Sequence, residues 1–110
     1  MFIKKLLIFL ISLVFFSSCS TADQEKKSII IVTTTGILGD CVSQIVDGQA
    51  EVVSIMGAGV DPHLYKASQG DISKLSEADI IVYNGLHLEG KMAQMLKNFS
   101  KTKPVFAIGD

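Results

Sequence analysis

The chain has 110 residues, 48% of them hydrophobic, with ten Lys, eleven acids, two His and a net charge of −1. That balance excludes a basic nucleic-acid binder, and the apolar content excludes an intrinsically disordered chain. Four of the six Phe and two of the Lys, but no acid, fall in the first 18 residues, so the rest carries a net −3 and an ordinary globular composition.

Lys4 and Lys5 precede an apolar run over residues 6–16, interrupted only by Ser12. As a helix this run would be roughly 16 Å long, about half of a hydrocarbon core of about 30 Å. Two lysines, a short apolar run and then small residues have the layout of a secretory signal, assigned to residues 1–18. Ser17-Ser18-Cys19 resembles the end of a bacterial lipobox, although Phe16 stands where Leu is usual. Cys19 is therefore the expected lipidation site, since acylation needs a nucleophilic sulfur. Residues 19–28 are polar and without period, and read as a flexible tether. With Cys19 acylated, Cys41 is the one free thiol, which excludes a disulfide scaffold.

From residue 29 on, four β-type runs recur: Ile29–Val32, Val52–Met56, Ile80–Tyr83 and Val105–Ile108. One helical pattern lies in each gap. Near-continuous apolar strands alternating with helices predict an α/β fold with a parallel sheet and flanking helices. Thr33-Thr34-Thr35-Gly36 joins the first strand to its helix as a tight turn. It lacks the Lys of a phosphate-binding loop. The first helix carries Ile37, Leu38, Cys41, Val42, Ile45 and Val46 at helical period, and Asp47-Gly48 stops it. On that face Cys41 is expected to be a small buried hydrophobe.

The loop after the second run reads Gly57-Ala58-Gly59-Val60-Asp61-Pro62-His63-Leu64-Tyr65. Pro62 fixes its own φ and restricts Asp61, so the pair holds His63 in a defined direction at the carboxyl edge of the sheet. A neutral imidazole there suits a metal ligand or a general base. Asp61 is expected to orient the loop by accepting backbone N–H bonds. Ser68 and Asp71 have capping-box spacing and open the second helix, which buries Ile72 and Leu75. His87 lies in the turn after the third strand, and Glu89 reads as an acid at the start of a helix that presents Met92, Met95, Leu96 and Phe99. Lys26, Lys27, Lys101 and Lys103 read as solvated charges. Ligands of open α/β sheets bind beyond the carboxyl ends of the strands, and the chain stops at such an end, after the fourth run. The expectation is an N-terminal piece of a longer protein.

The VDPHLY stretch, Asp71 and LSEADIIVYNGLHLEGKM resemble the zinc/manganese solute-binding lipoproteins of ABC transporters, the TroA-like or adhesin-lipoprotein family. The resemblance covers roughly residues 29–110 and is densest over 59–92. It implies a partial N-terminal α/β lobe, residues 29–110, of a two-lobe protein that holds metal in the cleft between the lobes. It implies that His63 is the first of four metal ligands, with the other three beyond this chain, and it demotes His87. It further implies a monomeric, extracytoplasmic protein, lipid-anchored to the bacterial membrane. Such a protein captures a divalent transition metal, zinc or manganese with iron possible, and hands it to an ABC permease without catalysing a reaction. The competing readings are a surface adhesin and an extracytoplasmic α/β hydrolase. The hydrolase lacks a nucleophile elbow or carboxylate pair.

Overall fold

The computed structural model describes residues 1–4 and 27–110; most of the leader and tether, including Cys19 and Lys26, lies outside the described residues. The elements are β1 (Ile29–Thr35), α1 (Gly36–Val46), β2 (Ala50–Met56), α2 (Gln69–Glu77), β3 (Ile80–Tyr83), α3 (Ala93–Phe99) and β4 (Val105–Ala107). The strands form one sheet in the order β2-β1-β3-β4. Every pairing is parallel, with Val32 of β1 facing Val53 on one side and Ile81 on the other. This is the expected α/β architecture. The chain steps from β1 outward to β2, then crosses back to β3 on the far side of β1. That reversal opens a crevice between the β1 and β3 carboxyl ends, where open sheets bind ligands.

Val32, Met56, Leu75, Ala78, Ile81, Met92 and Leu96 form the core. β1 runs three residues further than its apolar stretch, because Thr33 and Thr34 are β-branched and fully buried. Thr33 Oγ1 lies 2.9 Å from Ser54 Oγ on β2. Thr35 ends the strand and caps α1 by accepting from the Leu38 amide. Helix and sheet meet closely here: a methyl group on Gly39 would lie 2.0 Å from Ser54 Oγ. At its other end, Asp47 stops α1 in the left-handed region at φ 45°.

Three expectations are corrected. Cys41 is exposed rather than buried. α1 seats on the sheet through buried Gly39 and half-buried Leu38, Val42 and Val46, which turns Ile37, Cys41 and Ile45 to solvent. The third helix begins at Ala93, not near Glu89, because residues 85–92 form turns folded around the Glu89 side chain. Met92 and Leu96 are nonetheless buried as expected. Lys103 is not a free solvated charge. Its ammonium donates to the carbonyls of Leu75, Ser76 and Ala78 at 3.0, 2.5 and 2.6 Å, and so closes the C-terminal end of α2.

Candidate metal centre

His63 lies in the β2–α2 loop, beyond the carboxyl end of β2. Its side chain is 64% exposed. The neighbouring Asp61 carboxylate fixes it at two points: Oδ1 accepts from the His63 backbone amide at 3.0 Å and lies 3.0 Å from His63 Nδ1. In a neutral ring with the carboxylate as acceptor, the proton lies on Nδ1 and the Nε2 lone pair is free. This is the arrangement by which a carboxylate orients a metal-bound imidazole. Pro62 lines a groove of about 390 Å³ together with Thr35, Gly36, Gly59, Asn84 and Leu88. The loops that follow β1, β2 and β3 thus converge on a groove lined by Pro62, the residue before His63.

Two residues downstream, Tyr65 ties the loop to α2. Its hydroxyl donates to Asp71 Oδ2 at 2.6 Å, and the same oxygen accepts from the Ser68 amide and hydroxyl at 2.9 and 2.7 Å. Ser68 Oγ accepts from the Asp71 amide in return, which completes the capping box anticipated from the sequence. Asp71 is only 5% exposed. Burial alone would raise its pKa, but the bonds from Tyr65 and Ser68, with the Lys74 ammonium nearby, outweigh it and hold the carboxyl below its usual range. The bond to Asp71, with burial and the carboxylate's charge, pushes the Tyr65 phenol up.

Glu89 does not open the third helix, as its place in the sequence suggests, but folds the turn before it. It is 2% exposed. Its Oε1 accepts from Thr34 Oγ1 at 2.6 Å, from the Asn84 amide at 2.7 Å and from Asn84 Nδ2 at 2.9 Å. Oε2 accepts from the Gly85 amide at 3.2 Å. Burial opposes its charge, but these four bonds win, and the carboxyl stays below its usual range. The turn it closes contains three successive positive φ values: 86° at Gly85, 50° at Leu86 and 63° at His87. Left-handed backbone at Leu86 and His87 costs of order 1–2 kcal/mol each and persists only when the surroundings dictate it. His87 is exposed on this turn. The sequence carries no signal for this arrangement, because the partner Thr34 is 55 positions away.

Among the described residues no group of three or more His, Cys, Asp or Glu side chains could hold a metal ion. His63 is exposed at this edge, with Asp61 engaged as its acceptor.

Comparison with known proteins follows the same line. The family described as zinc-uptake complex component A, periplasmic, matches residues 31–110. The manganese-binding lipoprotein MntA of Bacillus subtilis is 48% identical over 77 residues, covering 70% of this chain and 25% of MntA. The iron ABC transporter substrate-binding lipoprotein MtsA of Streptococcus pyogenes is 37% identical over 104 residues, 89% of this chain and 34% of MtsA. The solved structure of the periplasmic zinc-binding protein TroA from Treponema pallidum superposes with a TM-score of 0.70 at 44% identity, over 73% of this chain and 29% of TroA. The chain thus spans about a quarter to a third of the length of these relatives.

Proposed function

The chain belongs to the family of the periplasmic zinc-uptake component A, and from that membership we propose that it is the metal-capturing part of an extracytoplasmic substrate-binding lipoprotein. Its cargo is a divalent transition metal, zinc or manganese, with iron compatible with the same donors. Relatives named for manganese, zinc and iron support that range. Imidazole and carboxylate ligands suit all three ions, so donor type does not choose among them. His63 supplies one ligand through Nε2, and Asp61 and Pro62 orient it. The whole protein completes the shell with ligands outside the described residues. It hands the ion to an ABC permease, is tethered through acylated Cys19, acts as a monomer and catalyses no reaction.

The observation that carries this reading is the Asp61–His63 pair. One carboxylate oxygen holds both the backbone and the ring of a histidine that is otherwise open, at the sheet edge where α/β proteins bind ligands. Deleting the gene and measuring manganese uptake, zinc uptake and host-cell binding separately tests the function. Loss of uptake of one metal, restored by the wild-type gene and not by a His63→Ala gene, is expected. Normal uptake of both metals with lost cell binding would replace the transport role with an adhesin.

A further inference from the structure

We propose that Glu89, a residue that touches no metal, is the positioning residue that fixes His63 for metal capture; this rests on His63 being a metal ligand. Its carboxylate joins two pieces of the carboxyl edge. Thr34 bonds it to the end of β1, and Asn84 and Gly85 bond it to the end of β3. Asn84 also donates to Thr35 Oγ1, a direct link between the ends of the two strands. The next residue, Gly90, carries the connection onward. A methyl group there would lie 3.6 Å from the His87 carbonyl oxygen and 3.9 Å from that of His63. The Glu89 turn is therefore packed against the backbone of the His63 loop, and Leu88 and Pro62 face the same groove.

The chemistry explains why the residue is an acid. Three donors converge on Oε1 and a fourth on Oε2, and only a carboxylate accepts on both oxygens. An amide would set an N–H₂ group against the Gly85 N–H or against the cluster at Oε1. Either way the left-handed turn over Gly85–His87 loses its anchor, and with it the wall against which the His63 loop rests.

The test compares Glu89→Gln with Ile81→Val, a core variant within β3, in the complete protein, with His63→Ala in parallel. Two readouts are taken: the order parameter of the residue 63 amide without metal, and the affinity for Mn²⁺ by titration calorimetry. In Glu89→Gln the order parameter is expected to fall from about 0.85 towards 0.6. Mn²⁺ affinity should fall about tenfold or more, as when a ligand's supporting partner is lost. Ile81→Val should change neither. If Glu89→Gln does not fold, Thr34→Val removes a single bond and should move both readouts in the same direction. An unchanged order parameter at residue 63, or an equal affinity loss in Ile81→Val, overturns the proposal. Undiminished Mn²⁺ binding in His63→Ala would instead strike the ligand assignment, and the metal-free order parameter would still report whether Glu89 holds the loop.

Discussion

At the scale of single residues, what the sequence makes legible is what is local. Asp61 and His63 are two positions apart with a proline between them, and the two hydrogen bonds that join them follow from that spacing. Asp61→Ala should leave the fold intact, since both side chains are exposed. It should also weaken metal binding roughly ten- to hundredfold, the usual cost of losing an imidazole's carboxylate partner. Calorimetry on the complete protein checks this, and unchanged affinity would remove Asp61 from the site. Glu89 and Lys103 were illegible for the opposite reason. The acid's partner Thr34 lies 55 positions away, and the lysine bonds carbonyls 25 to 28 positions away. Gly39 is a further residue whose role appears only in three dimensions. Gly39→Ala should destabilise the chain by about 1–3 kcal/mol, the range for overpacking, because Ser54 Oγ occupies the place of the new methyl. A denaturation midpoint equal to wild type would mean that the helix shifts freely on the sheet.

At the scale of elements, α2 was the most predictable helix, because its start signal is the three-residue reach from Ser68 to Asp71. Ser68→Ala removes the cap and one of the bonds to Asp71, and should cost about 1 kcal/mol. Thermal melting measures that loss. The start of α3 was misplaced because an acid at a helix start and an acid that folds a turn read alike in sequence. α1 was misread in one respect: its apolar residues fill a stripe wider than the sheet covers, so period alone could not say that Cys41 faces outward. The two buried acids also set a pH dependence. Both Asp71 and Glu89 have folded-state pKa values held below the ordinary range, with the unfolded values above them. Their contribution is then complete above the unfolded values and is lost as pH falls through the folded ones. Stability should be flat above about pH 5 and decline from about pH 4 downward. Glu89→Gln should make that decline shallower, and an acid decline as steep as wild type's would exclude Glu89 from it.

At the scale of the whole molecule, four apolar runs alternating with helices specified a parallel sheet, because strands buried on both faces carry no polar alternation. The strand order β2-β1-β3-β4 was not written in any one segment, since it depends on which side of β1 the chain chooses after α2. That choice creates the crevice and brings the loops after β1, β2 and β3 to the groove that Pro62 lines. Ile37, Leu64 and Leu86 stand exposed at 77, 65 and 73% around the carboxyl edge. The 110-residue chain by itself should therefore melt with weak cooperativity or aggregate, and zinc should shift its melt little. A sharp transition with submicromolar zinc affinity would mean that a complete site lies within these residues. The central claim, that His63 is the ligand this part of the protein contributes, is tested most directly by calorimetric titration of zinc and manganese into the complete protein as wild type, His63→Ala and His87→Ala. Affinity is expected to fall about a hundredfold or more in His63→Ala, since a tight site needs three or four protein ligands, and to change little in His87→Ala. Equal losses, or the larger loss at His87, would contradict the assignment.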